Sequence, residues 1–425
     1  LTPFTGNIGY LTILARAYKK SNFFEDKGKN MPGPLTGLKV LDLTRVLAGP
    51  YATMILSDLG AEVIKIEQLE SGDESRRFGP FKNGFSLYFM SVNRGKQSVT
   101  LNLKTERGIQ IFKQLVKRSD ILVENFRPGT MEKLGLGYET LKVECPSLIY
   151  ASCSGFGQTG PYAAKGAYDM IIQGMGGIIS ITGEPDSPPV RVGTSISDIT
   201  AALFTTIGIM SALHHRNRTG KGQFVDVAML DSLVAVLENA IVRYFATDEI
   251  PQPLGSRHPA ITPFEAFESA DGHIIIAIGN DTLWAKYCEH IDQKHLISDS
   301  RFITNAERTA NHSDLFPILS KIMRQRKTDE WIESLEKIGV PCGPINTIDK
   351  VVNHPQVQAR EMITKVMHEI TGAVEVPGVP IKLSDTSGVV DAPAPNLGEH
   401  TDTVLTNMLN ISHNEVKQLR EDGII

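Results

Sequence analysis

The sequence predicts an α/β fold, a parallel sheet covered by helices on both faces and followed by a smaller mixed domain. Three observations carry the prediction. Short apolar runs alternate with helix-length segments through the first 230 residues. The first of those runs, Leu38–Leu43, is a short apolar strand followed by a helical segment that stops at Gly60, an alternation that implies a parallel sheet covered on both faces. Four prolines between 249 and 263 then mark a crossing into a segment of different texture.

Leu38–Leu43 reads as the first strand, and Tyr51–Leu59 has helical spacing and stops at Gly60, a common helix terminator. Ala61–Glu67 is the second strand, and Ser98–Leu103, Asp120–Glu124 and Leu148–Cys153 are the next three. A helix over Thr105–Lys117 and a helical turn near Met131 fall between them. The stretch Gly160–Gly193 is rich in Gly and Pro and leads into an apolar helix from Asp198 to about His215. Phe224–Val227 follows as a strand and Asp231–Ala246 as a helix. Beyond the crossing come a strand at His273–Ile278, helices near Thr282, Asp314 and Asp329, irregular β structure at Val376–Asp385, and closing helices at Thr401–Leu409 and Asn414–Glu421. The expected organisation is a large domain over 31–230 completed by 385–425, a linker at 231–260, a small domain at 261–350 and a return linker at 351–384.

Composition narrows the function. The 425 residues are 41% hydrophobic and 21% charged, which supports a full core and excludes a disordered or fibrous chain. Lys and Arg number 43 against 48 Asp and Glu, a net charge of −5, so the chain carries no overall basic footprint for nucleic acid. The longest apolar run, Ile199–Leu213, is interrupted by Thr200, Thr205, Thr206 and Ser211 and reads as a buried helix, with no membrane span expected. Four scattered cysteines fit a reducing compartment, and no Cys or His spacing points to a metal. The expected location is cytoplasmic. Residues 1–30 carry a local charge of +3 and read as an extension outside the fold, with Met31 as the start; read as a transit remnant, they would place the protein in the mitochondrial matrix.

The common nucleotide signatures are absent. There is no GxxxxGK[ST], the turn Thr44-Arg-Val-Leu-Ala-Gly-Pro50 is not GxGxxG, and neither GxSxG nor HExxH occurs. Asp198 is the most suggestive polar residue. It sits between Gly193-Thr-Ser-Ile-Ser197 and the apolar run from Ile199, where pattern alone favours a helix N-cap. A helix N-terminus also favours the ionised carboxylate, the state a carboxylate nucleophile must hold. Lys104 and Arg127 lie at ends of expected parallel strands and Lys133 follows soon after, which suits a phosphate-bearing ligand in the crevice beyond strand C-termini. Tyr168-Asp169 reads equally well as a helix start.

Several motifs in order then resemble one family. Asp42-Leu-Thr-Arg-Val-Leu-Ala-Gly-Pro50, Asp58-Leu-Gly-Ala-Glu-Val-Ile-Lys-Ile-Glu67, Glu124-Asn-Phe-Arg-Pro-Gly129, Ser154-Gly-Phe-Gly-Gln-Thr-Gly-Pro161, Thr219-Gly-Lys-Gly-Gln223 and Leu397-Gly-Glu-His-Thr-Asp402 resemble the class III CoA-transferases, the family of formyl-CoA transferase, carnitine CoA-transferase and α-methylacyl-CoA racemase. The resemblance covers Met31 to the end of the chain.

It implies a Rossmann-like large domain, a small domain and an interlocked homodimer. It implies that Asp198 is the catalytic aspartate, with Tyr168 and Asp169 beside it, and that the acyl-CoA substrate lies along Val46, Leu47, Leu101, Lys104, Asn125, Phe126, Arg127 and Lys133. No permanently bound cofactor is implied, and a small carboxylic acid is the second substrate. Backbone amides near Gly255 and His258 are candidate oxyanion donors. Where formyl-CoA transferase has an arginine after the second strand, this chain has Gln68.

In the resembling racemases, a His stands thirty residues before the catalytic Asp; here that place holds Tyr168, so a transferase is expected and a racemase is the alternative. A CoA-binding protein without turnover is the third reading. Leu47 and the loop Gly255-Ser-Arg-His-Pro depart from formyl-CoA transferase and look more like transferases that use succinyl-CoA and a dicarboxylic acceptor. Arg257 or His258 would then pair with a distal carboxylate, or serve loop packing.

Overall fold

The computed structural model describes residues 33–425, so the expected extension at 1–30 lies outside the described residues. Two compact units are present. One contains residues up to 172, 195–236 and 358–425, and the other contains 173–194 and 237–357. The Gly/Pro-rich segment 173–194, expected from sequence in the large domain, therefore groups with the smaller unit.

The larger unit is built on six parallel strands. These are β1 (Lys39–Asp42), β2 (Glu62–Glu67), β3 (Gln97–Thr100), β4 (Ile121–Glu124), β5 (Ile149–Ser154) and β6 (Phe224–Ala228). Their spatial order is β3-β2-β1-β4-β5-β6, every neighbouring pair parallel. That is the doubly wound order, in which the chain reverses direction between β1 and β4 and leaves a crevice beyond their C-terminal ends. Strands β1, β2 and β4 are buried almost throughout, as strands covered on both faces are, and β2 buries the charged Lys65 and Glu67 along with its apolar residues.

Four helices of this unit and the start of a fifth matter for the site: α1 (Ala48–Asp58), α2 (Leu87–Asn93), α3 (Glu106–Val116) and α5 (Ile196–Thr219), with residues 169–172 of α4 (Asp169–Met175). Helix α3 packs Ile111, Phe112, Leu115 and Val116 onto one face of the sheet, in a core shared with the C-terminal residues Val404, Leu405, Val416 and Leu419. On the other face, Leu56 of α1 and Ile209 and Ala212 of α5 cover Val40, Val63, Ile121 and Ile149. Gly208 lets α5 approach β6, since a Cβ there would come within 2.6 Å of a Val225 methyl.

Helix α5 corrects the expectation of a fully buried helix. It runs 24 residues, is long and apolar enough to cross a membrane by length and composition, and is half covered in the structure. Ala201, Ala202, Thr205, Ile209 and Ala212 are buried, whereas Leu203, Phe204, Ile207 and Met210 are exposed along one stripe.

The smaller unit has a three-stranded antiparallel sheet of Phe264–Glu268, His273–Ala277 and Cys342–Pro344. Helices at Asp281–His290, His312–Met323 and Thr328–Lys337 cover it around Trp284, Tyr287, Leu319 and Trp331. Two further corrections concern the connections. The helix expected over Asp231–Ala246 is broken into Met229–Ala235 and Ala240–Thr247, with Glu238 at φ +54° between them. The return linker contains a hairpin, Ile363–His368 with Gly372–Pro377, whose Val366, Val374 and Val376 pack on Phe85, Phe89 and Met90 of the larger unit.

Candidate active site

The crevice at the strand reversal is a cleft of about 830 Å³. Its walls are the segments at the strand ends: Thr44 and Arg45 after β1, Gln68–Asp73 after β2, Leu101–Lys104 after β3 and Phe126 after β4, with Lys133 at the side. Four of the eight residues expected to meet coenzyme A line it, namely Leu101, Lys104, Phe126 and Lys133. Arg45, absent from that expectation, is a further cation in the wall; its guanidinium lies 4.9 Å over the Phe126 ring and pairs with Glu74 at 2.8 Å.

The remaining four shape the wall from outside the lining. Asn125 clamps Arg45 through both backbone groups, its Oδ1 accepting the Arg45 N–H and its Nδ2 donating to the Arg45 carbonyl, each at 2.8 Å. Val46 stands at φ +69°, a left-handed conformation costly for a β-branched residue, and Leu47 is the N-cap of α1. Arg127 is exposed and lies against Gly166, where a Cβ would come within 2.7 Å of its Nη2.

Asp198 is not the N-cap of α5. That place belongs to Ser195, whose side chain makes no cap bond, and Asp198 falls on the third residue of the first turn. The capping is done from outside. Asp169, the first residue of α4, accepts the Ser197 N–H at 3.0 Å and its hydroxyl at 2.5 Å. Asp169 thus orients the turn that carries Asp198.

The backbone N–H of Ala48, free because it opens α1, donates to the Asp198 carboxylate. Burial nevertheless dominates, and with the Asp169 charge it pushes Asp198 up to about 7. The expectation that the helix end alone keeps this carboxylate firmly ionised is therefore corrected.

Tyr88 of α2 lies within electrostatic reach of the Asp198 carboxylate. Tyr168 is 74% exposed. Burial, reinforced by the charges of Asp198, Asp73 and Asp169, raises the Tyr88 pKa above its ordinary value, so its O–H stays a donor at neutral pH. Sequence reasoning passes over Tyr88 because Leu87–Asn93 looks like any short amphipathic turn. The Gly255 and His258 amides are also spent, donating to the Gly183 and Phe264 carbonyls at 2.8 and 2.9 Å. In the same unit Arg257 donates to the Thr309 carbonyl at 2.9 Å, and His258 stacks on Phe264 with ring centroids 5.3 Å apart. These bonds fit the loop-packing role.

Beneath the site lies a buried charge lattice. Asp42, fully buried, accepts from Thr44 N–H and hydroxyl, from Thr53 Oγ1 at 2.7 Å and from Lys96 Nζ at 2.9 Å. Lys65, equally buried, pairs with Asp73 at 2.9 Å and donates to the Thr44 carbonyl at 2.7 Å. Helix α1 presses on this lattice so closely that a Cβ on Gly49 would come within 2.3 Å of the Thr44 side chain. Gly49→Ala is therefore expected to destabilise the protein by about 1–3 kcal/mol, measured by urea unfolding. A variant as stable as the parent would contradict this packing.

A doubly wound sheet with a cation-lined cleft at the reversal, and in the same unit a part-buried carboxylate bonded by a helix N-terminal amide, defines an α/β protein whose cleft suits an anionic, phosphate-bearing ligand. Comparisons with known proteins fix the family. A family model described as CoA-transferase family III matches residues 35–401. The chain is 46% identical to acetyl-CoA:oxalate CoA-transferase of Acetobacter aceti, over 86% of this chain and 94% of that one. It is 40% identical to succinyl-CoA:glutarate CoA-transferase of Mus musculus, over 92% and 90%. Among solved structures, a CAIB/BAIF family protein from Brucella suis superposes with a TM-score of 0.79 at 42% identity, covering 89% of this chain and all of that one. The chain belongs to CoA-transferase family III, and is a CoA-transferase.

Proposed function

We propose that this protein moves coenzyme A from succinyl-CoA to a dicarboxylic acid, with Asp198 as the covalent carrier. The observation that carries the reading is the Asp198 carboxylate, held by the Asp169-capped turn against the Ala48 amide within the same unit as the cation-lined cleft. Relatives named for succinyl-CoA with glutarate, mesaconate or D-citramalate support the donor and the acceptor class. The acetyl-CoA:oxalate relative supports a second reading, in which acetyl-CoA is the donor and the shortest dicarboxylate the acceptor.

In the proposed mechanism a carboxylate oxygen of Asp198 attacks the thioester carbonyl, the C–S bond breaks, and an aspartyl–acyl anhydride forms with free CoA thiolate. The thiolate attacks the aspartyl carbonyl, releasing the donor acid and leaving an aspartyl-CoA thioester. The acceptor carboxylate repeats both steps in reverse and restores Asp198. One thioester replaces another, so the exchange is nearly thermoneutral. Each tetrahedral intermediate needs hydrogen-bond donors at its oxyanion; the Ala48 N–H, which donates to the Asp198 carboxylate, is one candidate, and the protonated Tyr88 phenol, within electrostatic reach of that carboxylate, is another. The adenosine and phosphate portion lies along Leu101, Lys104, Phe126 and Lys133, with Arg45 added. The exposed Leu203, Phe204, Ile207 and Met210 stripe of α5 supports a homodimer in which a second copy covers it.

The nucleophile must be ionised, so kcat/KM should rise with pH through an acid limb near 7, the value to which burial and Asp169 push Asp198. A pH-independent kcat/KM between 5 and 8 would contradict it. Substrate identity is tested by mass spectrometry of the thioester pool after incubation with succinyl-CoA or acetyl-CoA and a panel of acids in heavy water. New dicarboxylyl thioesters appearing with free succinate support the first reading, and oxalyl-CoA formed from acetyl-CoA supports the second. A profile limited to monocarboxylates, or α-deuteration of a branched acyl-CoA without exchange, rules out both, the latter outcome indicating a racemase.

A further inference from the structure

The Ala48 amide donates to the Asp198 carboxylate, the Tyr88 phenol feels that carboxylate's charge, and the two come from segments forty residues apart. Both segments are tied to one buried side chain. Asp73, 1% exposed, accepts at Oδ1 from the Val46 N–H at 3.1 Å, the Ser75 N–H at 2.8 Å and the Ser75 hydroxyl at 2.7 Å. Its Oδ2 pairs with Lys65, and its own N–H donates to Glu67 at 3.0 Å.

The Val46 bond matters because Val46 is held at φ +69°, two residues before the Ala48 amide. A valine stays in that conformation only where its surroundings hold it there, at a cost of about 1–3 kcal/mol. Here Asp73 takes its N–H, Asn125 takes both backbone groups of Arg45, and Lys65 takes the Thr44 carbonyl. The Ser75 bonds lead to the second group. Asp73 caps the turn Glu74–Arg77, the Ser75 carbonyl accepts from the Ser86 hydroxyl at 2.9 Å, and Ser86 in turn caps α2, which carries Tyr88.

We propose that Asp73, paired with Lys65, is a positioning residue for CoA transfer: it fixes the Ala48 amide and the Tyr88 phenol together against Asp198. Asp73 also lines the cleft, so the wall facing the CoA portion and the two candidate donors share one anchor. The inference rests on Asp198 as nucleophile, and its test separates the two.

Three variants, Asp73→Ala, Asp73→Asn and Asp58→Asn, are compared with the parent in full-length protein, with Asp198→Asn alongside. Asp58 belongs to another buried ion pair of the same unit, and its carboxylate bonds Arg94, at 2.6 Å, instead of the 44–48 loop. The readouts are kcat at saturating thioester and the pH profile of kcat/KM. Asp73→Ala is expected to lower kcat on the order of 10- to 100-fold, the scale of misplaced catalytic groups. Asp73→Asn, which keeps an acceptor for Val46 and Ser75, should recover part of that loss.

The acid limb should move to higher pH in Asp73→Ala, because the Ala48 N–H bond holds the Asp198 pKa down against burial and the Asp169 charge, the titratable Tyr88 and Cys153 lie within its electrostatic reach, and among the described residues no cation contributes to lowering it. Asp58→Asn should lose stability without moving the limb. An unchanged limb and kcat in the Asp73 variants overturns the inference, as does an equal shift in Asp58→Asn. Where Asp73→Ala does not fold, Asp73→Asn alone decides: parental kcat and limb overturn it, lowered kcat with a raised limb supports it. Activity surviving in Asp198→Asn removes the nucleophile and the inference with it, whereas a silent Asp198→Asn beside unaffected Asp73 variants removes the inference alone.

Discussion

Asp198→Asn is expected to lose thioester exchange by about 10³-fold or more and, at pH 8, to unfold at a higher urea concentration than the parent. The two effects share a cause. The amide cannot form the anhydride or be regenerated as a carboxylate, so no covalent carrier remains. The same carboxylate is a liability to the fold, because burial and Asp169 raise its pKa from 3.8 to about 7. The folded protein thus retains a proton that the unfolded chain has released between roughly pH 4 and 7, and stability falls as pH rises through that window.

Above pH 7 the parent carries the full penalty of a part-buried, poorly compensated charge, on the order of 4 kcal/mol for a shift of this size. The neutral variant carries none of it. Below pH 4 the parent is protonated in both states, and the two proteins should be about equally stable. Urea midpoints at pH 4 and pH 8 check this. A variant destabilised at pH 8 would mean that Asp198 is compensated after all.

The second large effect is structural. Asp42→Ala should cost about 3–5 kcal/mol, because it leaves the Lys96 ammonium buried and strips acceptors from Thr44 and Thr53. Burial, moderated by Asp42, already lowers Lys96 to about 8. Removing Asp42 takes away the charge that keeps it protonated, so the loss should shrink as pH is raised toward 9. Lys96→Met placed on the Asp42→Ala background should recover part of the loss, since replacing both members of a buried pair costs less than orphaning one. Strict additivity of the two single substitutions would show that the pair is not coupled.

The sheet is legible in the sequence because the chain alternates strand-length runs with helix-length segments from Lys39 to Val116, even though β2 carries charged Lys65 and Glu67 that only tertiary ion pairs let it bury. Asp198 is legible as a candidate, but its setting is not. The periodic apolar run starts at Ile199, whereas the helix starts at Ile196, its first turn capped by Asp169 from another segment. Local pattern cannot register a cap that arrives through tertiary structure. The same reason hides Tyr88 and the Ala48 amide, which reach the site only once the 43–47 and 73–86 segments are tied to Asp73.

Leu101, Lys104 and Phe126 line the cleft because they closely follow strands whose C-termini define it, and Lys133 joins them from the helical turn Thr130–Lys133. Asn125 and Val46 instead hold the backbone of that wall, a role that spacing does not distinguish from contact. The Met229–Ala235 and Ala240–Thr247 break is invisible for another reason: no Gly or Pro marks it, and Glu238 takes up the left-handed turn. Tyr168 is 74% exposed although Asp169 beside it is buried, because adjacency in the chain says nothing about which way a side chain turns.

Covalent capture at Asp198 tests the central claim most directly. The protein is incubated with succinyl-CoA without acceptor, quenched in acid, digested and examined by mass spectrometry. A coenzyme A adduct, less one water, on the peptide containing Asp198, released when a dicarboxylic acid is added before quenching, is the predicted result. Active protein that never carries coenzyme A on that peptide, or carries it on another residue, would contradict the assignment.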